Sequence, residues 1–165
     1  MAKIKAGIIG MGFIGVSHIE AIRRIGFVEL AAVADVNYGL AKKKADEYGI
    51  EKCYATVDEL LTDNDIDIIH NCTPTNLHTS INEAVIKSGK HIFSEKPLAM
   101  DSVESQKLLD LLNKNPDIIH GINFVYRMNP LVQDMKNRVQ GGEIGKPYLV
   151  HGSYLQDWLL YDTDY

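Results

Sequence analysis

An apolar run from Ile4 to Ile9 leads straight into Gly10-Met11-Gly12-Phe13-Ile14-Gly15, and a stretch with helical apolar spacing follows. No other feature limits the possible folds as strongly. Gly10 permits a tight turn, Gly12 lets backbone approach a diphosphate, and Gly15 lets the helix pack close to the strand. The helix that begins here offers unpaired N–H groups and a partial positive charge to an anion. The whole turn, Phe13 and Ile14 included, is therefore the candidate diphosphate site. A second apolar run, Val28 to Asp35, ends in an acid 20 positions beyond Gly15. A carboxylate near that spacing meets the adenosine ribose hydroxyls of a dinucleotide. The competing role for Asp35 is to cap the next helix. Strand, glycines, helix, strand and acid in that order favour the dinucleotide.

Strands and helices alternate along the chain, which predicts an α/β fold of Rossmann type, a doubly wound parallel sheet. Strands are expected at roughly 3–9, 28–35, 51–55 and 66–72, then from His91 to Ser94 and from Ile118 to Phe124. Helices fall at roughly 14–25, 39–48 and 78–88, with a short one at 57–61 and another opening at Asp101 or Ser102. Gly26, Gly49 and Gly89 stop three of them. Thr56 is placed to cap the short helix. The composition changes after about residue 121, giving a dinucleotide-binding domain at 1–122 and the start of a different one at 123–165. That second segment reads as Pro130, a helix at roughly 131–140, Gly141-Gly142 and an apolar strand from about Tyr148 to Leu155.

The bulk properties exclude several function classes. A net charge of −5 and a pI near 5.6 over 165 residues argue against nucleic acid as the main partner. Lys42-Lys43-Lys44 reads as a solvated helix face. Cys53 and Cys72 form no metal or redox motif, and they sit on strands that are not neighbours in the usual strand order, so no disulfide is expected. Reduced thiols suit the cytoplasm. No apolar run approaches membrane-spanning length, and no signal-cleavage site stands out. No histidine pair has metal-ligand spacing, so no metal is expected.

In open parallel sheets ligands bind at the carboxyl ends of the strands, where strand order reverses. The unusual residues of this chain fall at those ends. The glycines follow the first strand and Asp35 ends the second. Thr73-Pro74-Thr75-Asn76 follows the fourth, Glu95-Lys96-Pro97 the fifth, and Asn123, Tyr126 and Arg127 the sixth. Thr73 and Pro74 place a hydroxyl and a rigid turn beside the expected dinucleotide, although Thr75 or Asn76 serves equally as a helix cap. Lys96 is the sharper candidate. Its ammonium can donate to a substrate hydroxyl and stabilise an alkoxide as hydride leaves, and partial burial would ease proton transfer. A surface lysine paired with Glu95 is the plainer alternative. His18 is expected to pack or bond locally, and His70 and His91 look structural. His78 begins a helix near the rim and is a candidate cofactor contact.

Taken together, Gly10-x-Gly12-x-x-Gly15, Asp35, Cys72-Thr73-Pro74 with His78, Gly89-Lys90-His91 and Glu95-Lys96-Pro97-Leu98-Ala99 resemble the glucose–fructose oxidoreductase, inositol dehydrogenase and MocA family. Gly121-x-Asn123, Tyr126-Arg127, Pro130 and Gly142-Glu143-Ile144-Gly145 continue the likeness, which covers the whole chain. The resemblance implies an NAD(P)-dependent oxidoreductase that moves a hydride between a sugar or polyol hydroxyl and nicotinamide. In that picture Lys96 is catalytic and also lies beside the nicotinamide. Thr73, Asn76 and His78 line the cofactor, Glu95 meets its nicotinamide half, and Arg127 lies close to cofactor or substrate. Asp35 favours NAD over NADP, with NADP still possible.

Family members run to about twice this length, so residues 123–165 are expected to be the incomplete start of a second α/β domain for substrate binding and oligomerisation. The resemblance places an Asp and a His of the active site in that domain, and no matching pair is present here. Two other functions compete with the dehydrogenase: a non-enzymic dinucleotide-binding module, and an NAD-dependent glycosidase of the same family. The tail from Tyr148 to Tyr165, with Tyr154, Trp158 and Tyr161, would expose an apolar edge if left alone. Pairing with another copy in a homo-oligomer is the expected remedy.

Overall fold

Apolar runs bounded by glycines become strands, and the periodic stretches between them become helices. The computed structural model describes residues 3–155. Its elements run β1 (Ile4–Ile9), α1 (Phe13–Arg24), β2 (Val28–Ala34), α2 (Tyr38–Tyr48), β3 (Lys52–Tyr54), α3 (Val57–Thr62), β4 (Ile68–Asn71), α4 (Thr75–Lys87), β5 (His91–Ser94), α5 (Ser102–Asn113) and β6 (His120–Ile122). The six strands form one parallel sheet in the order β3-β2-β1-β4-β5-β6. The order reverses between β1 and β4, which is the switch point of a Rossmann fold.

Both sheet faces are covered, as parallel sheets require. Ile8, Val33, Ile19, Ile22, Ala41 and Ala45 fill the side under α1 and α2. Ile9, Ala32, Leu60, Ile69, Val85, Ile92 and Leu108 fill the opposite side. Ile8 and Ile9 point to opposite sides because successive strand residues alternate.

Helix starts divide into two kinds. Asn37 caps α2 by accepting from the Leu40 N–H, Thr56 and Glu59 form a capping box on α3, and Asp101 caps α5. Asp35 is therefore not the cap of α2. By contrast, α1 and α4 begin at Gly12 and Pro74 with no side-chain cap and no acid in the first turn. Both uncapped helices start at the carboxyl edge of the central strands. Because α4 begins at Thr75, Thr75 and Asn76 are helical residues and not caps. The opposite edge is held by Lys90, a buried lysine whose ammonium donates to the Asp63 and Ile66 carbonyls at 2.7 and 2.9 Å.

The chain divides into two compact units, Met1–Phe124 and Val125–Tyr165. Described by itself, the second holds a 3₁₀ turn (Val125–Met128) and α6 (Pro130–Gln140), which starts with Pro130 in its first turn behind an Asn129 cap. The strand expected from Tyr148 to Leu155 is absent. Those residues form no ladder with any strand among the described residues, and the large apolar ones among them, Tyr148, Leu149, Val150, Tyr154 and Leu155, are exposed. An extended segment becomes a strand only through ladder hydrogen bonds to a neighbour. Trp158 and Tyr161 lie outside the described residues.

Candidate dinucleotide site

The register of the sheet sets the site. Ala34, Ile9, Asn71, Ser94 and Ile122 lie side by side as the last ladder residues of five neighbouring strands. The ladder then runs one step further. Gly10 N–H donates to Ala34 O, Cys72 N–H to Ile9 O, Glu95 N–H to Asn71 O and Asn123 N–H to Ser94 O, all at 2.8–2.9 Å. Gly10, Cys72, Glu95 and Asn123 are thus fixed in one row by backbone bonding alone, and Asp35 directly follows Ala34 at the end of β2.

Each glycine of the first turn meets different surroundings. Gly10 has φ +96°, and a Cβ there would lie 2.6 Å from the Cys72 carbonyl oxygen. Gly15 carries α1 so close to the turn that a Cβ would lie 2.0 Å from Gly10 O. A Cβ on Gly12 would meet no atom within 4 Å. The chain needs its glycines at 10 and 15 in order to fold, whereas the space where a Cβ on Gly12 would stand is filled by none of the described residues. That open floor lies at the uncapped start of α1, where N–H groups favour an anion.

Asp35 faces this turn. One carboxylate oxygen accepts the Met11 N–H at 2.7 Å and the other accepts the Asn37 N–H at 2.8 Å. Beside it a cavity of about 210 Å³ is lined by Gly10, Asp35, Val36, Thr73, Pro74 and Leu77 among others. Its walls come from the tips of β1, β2, β3 and β4.

A buried polar chain supports the other half of the rim. Thr73 donates through both its hydroxyl and its N–H to Asn71 Oδ1. The Asn71 amide donates to Asn82 on α4, and Asn82 donates to the Ser94 hydroxyl at the end of β5. Sequence reasoning missed Asn71, Asn82 and Ser94. The available signal was polar residues at apolar strand ends, and an asparagine on the same helix face as His78, Val85 and Ile86. His78 does not present itself to solvent as a cofactor contact would. It is 1% exposed, and its ring nitrogens lie 2.6 and 2.8 Å from the Pro97 and Thr73 carbonyl oxygens. The ring joins two rim loops and leaves no nitrogen for a ligand.

Glu95 is buried, and Lys96 next to it is exposed. The partial burial that would ease proton transfer from Lys96 is not found in the first unit. Nor do the two side chains pair. Glu95 Oε1 accepts from His18 Nε2 at 2.9 Å and from the Asn123 amide, and Oε2 accepts the Lys96 backbone N–H at 3.3 Å. Burial pushes the Glu95 carboxyl up, but the hydrogen bonds from Asn123, His18 and Lys96 outweigh it and hold the group below its ordinary value. His18 packs in the interior, and its hydrogen bond to Glu95 reaches across 77 residues of sequence. The same ring meets His70, with their Nδ1 atoms 2.9 Å apart. Cys72 is no nucleophile, since burial and the Glu95 charge push its thiol up to about 12.

His70 yields a pH prediction. Burial, followed by the charge of His18, lowers its pKa to about 4. A histidine depressed from about 6.5 is neutral when folded and takes up a proton more readily when unfolded. Its contribution to stability is complete above pH 6.5 and is lost as the pH falls toward about 4. Urea unfolding across that window should show stability falling by up to about 1.4 kcal/mol per pH unit. The slope should flatten in His70→Asn.

These features have close counterparts in known proteins. Residues 4–122 match the GFO_IDH_MocA oxidoreductase family, NAD-binding Rossmann fold. The chain belongs to this family. It is 33% identical over 153 residues to inositol 2-dehydrogenase of Salmonella typhimurium, covering 92% of this chain and 46% of that protein. It is 34% identical over 166 residues to levoglucosan dehydrogenase of Pseudarthrobacter phenanthrenivorans, covering 96% and 42%. Among solved structures, scyllo-inositol dehydrogenase from Lactobacillus casei with bound NAD(H) and scyllo-inositol superposes with a TM-score of 0.83 at 27% identity, over 87% of this chain and 43% of that one. The chain thus spans less than half the length of these relatives, and its match is to their N-terminal part.

Within this family member the first unit brings together Gly10, Gly12, Gly15, Asp35, Thr73, Pro74 and Glu95 along one edge. Phe13 and Ile14 open α1 beside them, and Asn76 lies in the first turn of α4. Arg127 falls in the 3₁₀ turn of the second unit. Among the described residues no helix is long and apolar enough to cross a membrane, and no group of three His, Cys, Asp or Glu side chains is arranged to hold a metal ion.

Proposed function

We propose that this chain is the cofactor-holding part of an NAD(P)-dependent sugar or polyol dehydrogenase, with NAD as its cofactor. The observation that carries this reading is the open floor at Gly12, set over an uncapped helix start and in line with Asp35 and the Glu95-Lys96 loop. Gly10 to Gly15 would hold the diphosphate and Asp35 the adenosine ribose. Thr73, Pro74, Asn76 and Glu95 would flank the nicotinamide half across the switch point. The chemistry a bound nicotinamide supplies is acceptance or return of a hydride. Lys96 contributes a compact positive charge on a flexible stem, suited to stabilising the substrate oxygen as carbinol becomes carbonyl. The family resemblance places an Asp and a His that complete the active site, the His as general base, in the portion of the relatives that this chain does not match.

Inositol and levoglucosan, named in the relatives, are polyhydroxylated rings, which supports a sugar or polyol as substrate. Free Cys53 and Cys72 support a reducing compartment such as the cytoplasm. The exposed apolar residues of 148–155 support assembly with further copies.

Calorimetric titration of the chain with NAD and NADP tests the reading. NAD should bind at least about tenfold more tightly than NADP, a difference of about 1.4 kcal/mol. A 2′-phosphate would meet the Asp35 carboxylate, so Asp35→Ala should erase the preference. A folded chain that binds neither nucleotide would overturn the proposal.

A further inference from the structure

We propose that His18 is a positioning residue for Lys96, acting through Glu95 to tie the helix under the diphosphate site to the loop that carries the lysine. This rests on the dehydrogenase reading for its meaning, but not for its geometry.

His18 lies one turn after Gly15 on α1, and its ring is buried, reaching side chains of β4 and β5. Three side chains, from β4, β5 and the loop that follows β5, close around it. Its Nε2 meets Glu95 Oε1 at 2.9 Å, its Nδ1 meets His70 Nδ1 on β4 at 2.9 Å, and Phe93 of β5 lies against the ring with centroids 6.1 Å apart. Hydrogen counting fixes the direction of the first contact. A carboxylate only accepts, so Nε2 must carry the proton that Glu95 receives. Between the two Nδ1 atoms only one proton fits. If His70 supplies it, His18 is neutral; if His18 supplies it, His18 is an imidazolium. Both arrangements leave Nε2–H donating to Glu95. The amide nitrogen of Asn123 is 3.3 Å from the same Nε2 because both donors converge on one carboxylate oxygen.

With Oε1 held by His18 and Asn123, the second oxygen of Glu95 accepts the Lys96 N–H. The carboxylate thus spans α1, β5 and the segment after β6. Removing the His18 donor leaves a buried carboxylate short of one partner, which disfavours its present orientation. The first group freed would be the Lys96 amide, since that 3.3 Å bond is the longest of the set. A histidine here does more than fill space, because a leucine of similar bulk would pack against Phe93 but could not orient Glu95.

The test uses the whole chain, uniformly ¹⁵N-labelled, as parent, His18→Leu and His18→Gln. Hydrogen exchange and the ¹H–¹⁵N resonance are read at the Lys96 amide, with the Ile69 and Ile92 amides of the central sheet as reference. Exchange at Lys96 should quicken about tenfold in His18→Leu while the reference amides stay within about twofold. His18→Gln, whose amide can still donate to Glu95, should return Lys96 toward the parent. Should His18→Leu fail to fold, His18→Phe replaces it. That variant keeps an aromatic ring beside Phe93 but cannot donate to Glu95, and it should move the Lys96 resonance in the same sense. An unchanged Lys96 amide in the variants, or equal quickening at all three amides, overturns the positioning role. NAD titration of the same samples separates this from the dehydrogenase reading. If the parent binds no NAD, that reading fails while the Lys96 amide still decides the strut.

Discussion

Gly15→Ala should destabilise the protein by about 3 kcal/mol or more, among the larger effects that one added methyl group produces. The Cβ would fall 2.0 Å from the Gly10 carbonyl oxygen, and that oxygen belongs to backbone with nowhere to retreat. Gly10 itself is pressed against the Cys72 carbonyl, so movement of the first turn would push on the turn after β4. Relief requires α1 to lift from the sheet, exposing Ile19 and Ile22, which are buried almost completely. The urea midpoint should drop without a change in slope, because the unfolded surface is unaltered. A midpoint within error of the parent would mean that α1 does not sit as closely on the turn as described.

Gly12→Val should do the reverse. Its backbone is extended, with φ −70° and ψ −166°, a conformation open to any residue. The added Cβ has no neighbour within 4 Å among the described residues, so stability should stay within about 0.5 kcal/mol. The branched side chain would instead stand where a diphosphate must approach the backbone. NAD affinity should fall by about a hundredfold, equivalent to about 2.7 kcal/mol. Two glycines three residues apart would then be separated cleanly, one serving the fold and one serving the ligand. Undiminished NAD binding by Gly12→Val would remove the diphosphate from this turn.

Much of this was readable in the sequence because it depends on local rules. Glycine spacing, strand–helix alternation and capping signals at Thr56 and at Asp101-Ser102 are short-range features, and they located the sheet, its rim and most helix ends. What the sequence did not disclose is set by tertiary contact. His18 was expected to pack or bond locally; it does pack, but its partner Glu95 is 77 residues away and is brought to it by the tertiary fold, which chain spacing does not reveal. His78 was read as facing a ligand because it lies near a helix start. Whether a first-turn residue points in or out depends on where that helix begins, and α4 begins three residues earlier than expected, at Thr75. Asn71, Asn82 and Ser94 form their chain across β4, α4 and β5, and no one segment contains its logic. The strand expected at 148–155 failed for the same reason: apolar content marks a segment that can pair, and the neighbour decides whether it does.

The row formed one residue past the ladder has a bearing on which length changes the chain can absorb. A deletion inside β5 would shift its pairing with β4 by one position and turn Lys96 toward the opposite face. The turns at Gly49 and Gly89, at the far edge, carry no such constraint, and both already adopt left-handed backbone in open space. Extra residues spliced there would lengthen a surface loop at small entropic cost. A library of one-residue insertions should therefore sort by edge, tolerated at the amino ends of the strands and damaging at the carboxyl ends.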